Sequence, residues 1–177
     1  MDFFMNFFSP KTLSFALMIA ITPMMAKALP SDSKQPIKLL ADKATYVERT
    51  GVTTYSGNVT IEQGTLKIAA DNITLNLDNK RSIKSAVATG RPATMQQIVT
   101  QEKGLAKGQA NKIDYNAVTG IVTLSGNAKL TQAGASFSGS TIRYSLKLGD
   151  VEANGGSGRR VELIFPPSSA DGHIGVR

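Results

Sequence analysis

The chain of 177 residues is long enough for one domain, or for two small ones that share a core, and its 41% hydrophobic residues supply a globular interior. The absence of cysteine excludes disulfides and any cysteine-based zinc, haem or nucleophile site. A net charge of +7 favours an anionic partner or surface, without choosing among nucleic acid, phospholipid and anionic glycolipid.

Residues 1–28 are typical of a cleaved signal peptide. Lys11 precedes an apolar run, and Ala26-Lys27-Ala28 has the small-x-small form of a cleavage site, so we expect cleavage between Ala28 and Leu29. The alternative is an uncleaved membrane anchor, but the apolar stretch of 14 residues from Thr12 to Met25 is shorter than the roughly 20 needed to cross a bilayer. Residues 29–34 follow as a polar lead-in.

The mature chain contains an internal duplication. A shift of 69 residues aligns 13 identical residues in 40 positions between Lys38 and Leu77, among them Gly57-Asn58 with Gly126-Asn127 and Tyr46 with Tyr115. The repeat units run from about 37 to 95 and from about 106 to 165. Such an internal repeat predicts two similar structural units in one domain, residues 35–167.

Both copies show the period of two that is typical of half-buried strands. In the first copy the apolar residues stand at even positions from Leu66 to Ala70 and at odd positions from Ile73 to Leu77. A strand absorbs such a change of phase with a bulge or corner, which we place at residues 69–72. The second copy repeats the change between Phe137 and Ile142, and no apolar period of 3.6 residues appears after residue 29, so almost no helix is expected.

The remaining elements are short. We predict a first strand at Ile37-Lys38-Leu39, a short strand at 83–87, and Pro92 at a strand start or a sheet edge. Residues 101–104 form a hairpin tip, and residues 161–165 a last strand. Residues 168–177 are expected to be a disordered tail.

The sequence offers no constellation for catalysis. The single histidine, His173, lies in the predicted tail, and Asp71 and Asp114 have the character of solvated turn carboxylates. Without a helix there is no helix N-terminus for a phosphate loop, and the basic residues lack the aromatic platforms of single-strand binders. We therefore predict no enzyme, no metal, no cofactor and no nucleic-acid partner.

Several short sequence motifs of the chain occur together in a known family. They are Gln35-Pro36-Ile37, Gly57-Asn58-Val59, Gln63-Gly64, Ala70-Asp71, Gly90-Arg91-Pro92-Ala93-Thr94, Gly126-Asn127-Ala128 and Gly158-Arg159-Arg160-Val161. Over residues 35–167 the chain resembles the OstA-like family of periplasmic lipopolysaccharide transport proteins, although Met95 stands where the family often has an aromatic residue. The resemblance implies an all-β fold, an open, twisted β-jellyroll of stacked antiparallel strands built here from the internal duplication.

The resemblance also implies a function. It implies a carrier that binds lipopolysaccharide in the periplasm through the lipid A acyl chains, in a hydrophobic groove, and passes it from the inner to the outer membrane. The implied partners are further copies of the chain in a head-to-tail homo-oligomer, an inner-membrane LptC-like protein and an outer-membrane LptD-like protein.

Two sets of residues follow as candidates. The expected groove lining consists of Ile37, Leu39, Tyr46, Val59, Ile61, Leu66, Ile68, Ile73, Leu75, Met95, Tyr115, Leu124, Leu130, Phe137, Ile142 and Tyr144, each of which equally suits ordinary core packing. Family motif positions favour Ile37, Leu39, Met95 and Tyr115 as ligand contacts. Basic residues that would meet lipid phosphates at the groove rim, or serve only as solvated charge, are Lys38, Arg91, Lys107, Lys112, Arg159 and Arg160.

Three alternatives stay open at this point. A membrane-anchored LptC-like subunit of the same pathway would retain residues 1–28. A structural β-solenoid or adhesin would bind no lipid. A carbohydrate-active enzyme would need paired inward carboxylates, which the strand register does not supply.

Overall fold

The computed structural model describes residues 32–167, so the predicted signal peptide and the predicted tail lie outside the described residues. A single 3₁₀ turn, Asp32–Lys34, precedes ten strands. The strands are β1 (Lys38–Leu40), β2 (Lys43–Val47), β3 (Val52–Gln63), β4 (Leu66–Leu77), β5 (Ile83–Thr100), β6 (Gly104–Asn116), β7 (Ile121–Gln132), β8 (Ala135–Ser145), β9 (Val151–Asn154) and β10 (Glu162–Ile164). For residues 32–167, the expectation of an all-β fold with almost no helix is confirmed.

All ten strands form one antiparallel sheet that follows the order of the chain. Strands β3 to β8 pair with their sequence neighbours. At one end β1 and β2 both pair with β3, and at the other end β9 and β10 both pair with β8. Because the two ends of the sheet do not pair with each other, the sheet is open, as the resemblance implied.

A line of β-bulges crosses the middle of the long strands. The register shifts between Ser56 and Val59 in the β3–β4 ladder and between Ala69 and Asn72 in the β4–β5 ladder. It shifts again after Thr89, Gln109 and Ser125 in the next three ladders. The bulge predicted at residues 69–72 is therefore one of a series that runs from strand to strand.

The bulges divide the sheet into two walls that meet at a crease. Wall 1 contains β1, β10 and the strand segments 59–63, 66–70, 93–100, 104–110, 128–132 and 135–139. Wall 2 contains β2, β9 and the segments 52–56, 72–77, 83–89, 112–116, 121–125 and 141–145. The walls face each other, since a Cβ atom placed on Gly108 of wall 1 would lie 3.3 Å from Leu124 Cδ1 of wall 2.

The prediction for residues 83–95 is wrong in its extent. Strand β5 runs for 18 residues from Ile83 to Thr100, and Pro92 lies in its middle and not at a strand start or edge. The bulge between Thr89 and Ala93 removes residues 90–92 from the ladder with β6. Proline has no N–H to donate, so it fits within a long strand where the ladder is already interrupted.

The hydrophobic core fills the space between the walls. The largest fully buried side chains come from both, with Val59 and Leu130 on wall 1 and Ile73, Leu124, Ile142 and Tyr144 on wall 2. Outward positions carry polar and charged residues, which gives the strands the alternation seen in the sequence.

Candidate functional site

The predicted lining residues face the space between the walls. Residues directly opposite each other in a ladder share a face, and the row Leu39, Ile61, Ile68, Met95, Gly108, Leu130 and Phe137 crosses wall 1 through successive pairings. On wall 2, Tyr46 stands opposite buried Thr53, and Tyr115 opposite buried Val122. The phase of the alternation was thus read correctly, and lipid contact by these residues stays a prediction.

An apolar cavity of about 290 Å³ lies between the walls in the half of the sheet nearest β1. It is lined by eight of the predicted residues, Ile37, Ile61, Leu66, Ile68, Ile73, Leu75, Met95 and Tyr115. Ile83, Ala86, Ile113, Val122 and Leu146 also line it and were not singled out from the sequence. Its volume lies close to the lower end of the range for small-molecule sites.

The other predicted lining residues do not border this cavity. Val59, Leu130 and Ile142 are packed in the core, with exposures of 1% or less. Leu39 and Phe137 pack against that core near the two ends of the sheet. Tyr46 faces inward but is 49% exposed, because β2 is an edge strand with no neighbour on its other side.

A polar cluster that was not predicted from the sequence lines one side of the cavity. The Asp32 carboxylate accepts hydrogen bonds from Thr65 N at 2.8 Å, Thr65 Oγ1 at 2.6 Å and Gln97 Nε2 at 3.0 Å. Partial burial raises the pKa of Asp32, but these hydrogen bonds, with one from the Leu66 backbone, outweigh that effect and hold the pKa below its usual value of 3.8. Asp32 thereby ties the segment before β1 to wall 1.

Two glutamines make equivalent hydrogen bonds in the two copies of the repeat. Gln63 Nε2 donates to the Gln35 carbonyl at 3.1 Å, and Gln132 Nε2 donates to the Lys103 carbonyl at 3.2 Å. Their positions are 69 residues apart, so the identity of Gln63 and Gln132 in the repeat has a structural reason. Each amide anchors the segment that leads into a neighbouring strand.

In the half of the sheet nearest β10, side chains fill the space between the walls, and a hydrogen bond joins the rims of the two walls. Gly108 occupies the place that Leu39 holds in the first copy, and a Cβ atom there would lie 3.0 Å from Met95 Cγ. Tyr144 replaces the first copy's Leu75 and is 1% exposed. At the rims, Lys103 Nζ from wall 1 donates to the Leu148 carbonyl beside wall 2. The groove is therefore open to a ligand in one half and packed in the other.

The basic candidates do not lie at the rim where they were expected. Lys38 stands opposite Glu62 and Lys107 opposite Thr131, both on the outer face of wall 1. Lys112 is outward on wall 2, where its Nζ lies 2.9 Å from Asp114 Oδ1. Strand alternation explains the result, since each of these lysines neighbours an inward residue and must point away from the groove.

The predicted arginines lie near the crease. Arg91 lines a polar hollow of about 750 Å³ on the outer side of the crease. Arg159 Nη1 donates to Asn127 Oδ1 at 3.1 Å, and Arg160 is exposed just before β10. Contact of these three arginines with lipid phosphates stays a prediction.

Within residues 32–167 the structure contains no group of three or more histidine, aspartate or glutamate side chains placed to hold a metal ion. Over the same range, no helix has the length and apolar character required to traverse a bilayer.

Comparison with known proteins identifies the family of the chain. Residues 38–150 match the family model described as the LptA/(LptD N-terminal domain) LPS transport protein. The chain belongs to this family. Membership agrees with the open antiparallel sheet and with the apolar space between its walls.

Individual family members resemble the chain over nearly its whole length. It is 34% identical to the lipopolysaccharide export system protein LptH of Pseudomonas aeruginosa, over 92% of this chain and 93% of that protein. It is 32% identical to LptA of Haemophilus influenzae, over 93% and 95% of the two chains. It is 30% identical to LptA of Escherichia coli strain K12, over 91% and 89%.

A solved structure has the same fold. The crystal structure of LptH from Pseudomonas aeruginosa, described as the LptA homologous periplasmic component of the lipopolysaccharide transport device, superposes with a TM-score of 0.70. The superposition covers 78% of this chain and 100% of the LptH chain at 30% identity. The OstA-like resemblance read from the sequence is therefore confirmed.

Proposed function

We propose that the chain carries lipopolysaccharide through the periplasm, holding acyl chains of lipid A in the groove between wall 1 and wall 2. The observation that supports this most directly is the apolar cavity, whose lining comes from both walls and includes Ile61, Leu75 and Met95. Membership of a family of lipopolysaccharide transport proteins supports the same ligand.

The energetics suit a carrier and not a permanent store. Burying an acyl chain of about 12 carbons, at about 0.8 kcal/mol for each methylene, gives on the order of 10 kcal/mol before ordering costs. Several fully buried chains would dissociate very slowly. A short cavity in an open sheet limits that burial, so transfer to a similar groove costs little free energy and the driving energy enters elsewhere.

Assembly follows from the two ends of the sheet. Strands β1 and β10 are the outer strands of wall 1, and their free edges offer unpaired backbone groups for strand addition. We propose that like copies join head to tail through these edges. The array would join an inner-membrane LptC-like protein to an outer-membrane LptD-like protein, with the groove continued from one copy to the next.

Export by a cleaved signal peptide belongs to the same proposal. Cleavage between Ala28 and Leu29 would release the mature chain into the periplasm. The mass of the mature N-terminus tests this directly, because a membrane-anchored LptC-like subunit would retain residues 1–28.

Site-specific crosslinking tests the groove. Photoreactive side chains at Ile37, Leu39 and Tyr115 should capture lipopolysaccharide, because these residues face the space between the walls. Matched substitutions at Thr60 and Lys67, which lie on the outer face of wall 1, should capture little. Labelling confined to the outer positions would refute a groove between the walls.

A binding assay tests the acyl-chain mechanism. Purified protein should bind intact lipopolysaccharide and should lose that binding when the lipopolysaccharide is deacylated, because the cavity is lined mainly by apolar side chains. Equal binding of the two forms would show that recognition lies outside the groove, and binding of neither would favour a structural β-protein.

A further inference from the structure

Met95 lies at the point where the cavity ends on wall 1. The cavity is lined there by Ile61 of β3, Ile68 of β4 and Met95 of β5. Among the described residues, no inward side chain from the wall 1 segments of β6, β7 and β8 lines it. The next residue of the wall 1 row is Gly108 of β6, directly opposite Met95 in the β5–β6 ladder. On this wall, the open half of the groove and the packed half therefore meet at Met95.

The Met95 side chain leans over Gly108. Directly opposed residues of an antiparallel ladder have Cβ atoms about 4.5–5.5 Å apart, yet Met95 Cγ would lie only 3.0 Å from a Cβ atom placed on Gly108. Leu124 Cδ1 of wall 2 would lie 3.3 Å from the same Cβ atom. Side chains from both walls therefore close over the glycine and fill the space that a side chain at position 108 would take.

The backbone does not require a glycine at position 108. Gly108 is not among the glycines of positive φ, and the equivalent position of the first copy holds Leu39, an apolar residue that packs against the core. A glycine inside a strand weakens it, because it has no side chain to pack. What the glycine provides here is room for Met95, whose unbranched and flexible side chain suits an irregular gap.

We propose that Met95 is the stop that limits how far an acyl chain reaches along the groove, and that it thereby sets the chain length that the cavity prefers. The proposal rests on the proposed binding of acyl chains between the walls. The side chains of Asp32, Gln63 and Gln97 make one side of the cavity polar, so the polar end of a ligand lies there and its methyl end reaches inward. Passage of lipid into the packed half then requires a change of the Met95 rotamer.

The dependence of binding on chain length tests the stop. Saturated methyl esters from octanoate to octadecanoate compete with a fluorescent acyl ester for wild-type protein and for Met95→Ala. Esters avoid repulsion between a ligand carboxylate and Asp32. For wild type we expect the affinity to rise by about fourfold for each added methylene, and to level off once the methyl end meets Met95.

Met95→Ala should level off at a longer ester than wild type. The space freed over Gly108 would lengthen the cavity by about 5 Å, the spacing of one strand. The ratio of the affinities for the longest and the shortest ester should therefore increase by about tenfold or more over the wild-type ratio. A ratio taken within each variant removes the contacts that every ester loses when the methionine side chain is shortened.

Two further variants separate the stop from a general loosening of the core. Met95→Leu keeps a side chain of similar volume and should level off at the same ester as wild type. Leu130 is the next inward side chain beyond Gly108 in the wall 1 row, is 1% exposed and does not line the cavity. Leu130→Ala removes a similar volume but leaves the stop in place, so it should keep the wild-type dependence on chain length. Denaturant titration checks that each variant is folded.

Three results would overturn the inference while leaving the proposed function in place. The first is a wild-type affinity that rises over the whole series without levelling off. The second is the same limiting ester in wild type and Met95→Ala. The third is a longer limit in Leu130→Ala as well, because any new space in the core would then admit the chain. Binding of no ester by any of the proteins would count against both the stop and the proposed function.

Discussion

Asp32 shows how much a single residue depends on its tertiary partners. The sequence places it in a polar lead-in, and nothing in the neighbouring residues marks it. Its partners Thr65 and Gln97 come from the hairpin after β3 and from β5, 33 and 65 residues away. The hydrogen bonds of this carboxylate therefore depend on the folding of the sheet and not on the local sequence.

Protonation of Asp32 should weaken the fold. Because its pKa is lowered in the folded chain, the ionised carboxylate contributes stability above the ordinary value of 3.8, and that contribution is lost as the pH falls through the lowered value. Denaturant titrations at neutral pH and at about pH 3 should show a smaller loss of stability in Asp32→Asn than in wild type.

Asp71→Asn, which removes an exposed carboxylate beside the outer hollow of the crease, is the matched control for charge. It should keep the wild-type loss of stability in acid. Identical losses in wild type and Asp32→Asn would contradict a lowered pKa at Asp32.

The position of the crease can be predicted from the alternation of residues within a single strand. A change of phase in the alternation of β4 indicates a bulge from sequence alone, and the structure has one between Ala69 and Asn72. The same reasoning failed for Pro92, because proline's missing donor is compatible with any break in a ladder, whether at an edge or inside a bulge. Only the pairing of β5 with both neighbours distinguishes these cases.

Gly57 should be one of the residues on which the crease depends. Its φ of 78° is unfavourable for side chains other than hydrogen, and an added Cβ atom would lie 2.7 Å from Asp42 Cγ. We expect Gly57→Ala to lower the free energy of unfolding by about 2 kcal/mol or more, measured by denaturant titration.

Gly104→Ala separates the two causes, because Gly104 has a φ of 65° but open space around its Cβ position. Gly104→Ala should lower the free energy of unfolding by about 1 kcal/mol, which is the cost of the positive φ alone. Equal losses in the two variants would mean that contact with Asp42 contributes nothing to the crease.

At the scale of the whole molecule, the two free edges of the sheet are the important feature. Exposed apolar side chains lie on both of them, with Leu40 on β1 at 56% exposure and Ile164 on β10 at 55%. Both point to the outer face of wall 1, since Leu40 stands opposite Thr60 and Ile164 opposite Ser136. They suit strand addition between copies without contributing to the core.

Charges at these positions should break the proposed array. Leu40→Lys and Ile164→Lys should each lower the mass measured by solution scattering at high protein concentration, because an edge lysine disfavours strand pairing. A mixture of the two variants should recover a dimer, since each retains one intact end. Val118→Lys, at a hairpin turn with 73% exposure, should leave the mass unchanged.

A wild-type mass that stays monomeric at all concentrations would refute the homo-oligomer. Failure of the mixture to form dimers, with self-association of the wild type intact, would refute the head-to-tail arrangement and leave a different interface between copies.

The sequence by itself determined the β character of the domain, the inward faces of its long strands and the repeat, because alternation and duplication can be recognised from the order of the residues alone. It also indicated the family, through short sequence motifs that are spread over the domain. Only the tertiary structure decided which inward residues border a cavity and which are packed, since Leu75 and Tyr144 are equivalent in sequence but face different neighbours across the walls. The setting of Arg91 was decided there as well, because the polar hollow that it lines exists only once the sheet is folded at its crease.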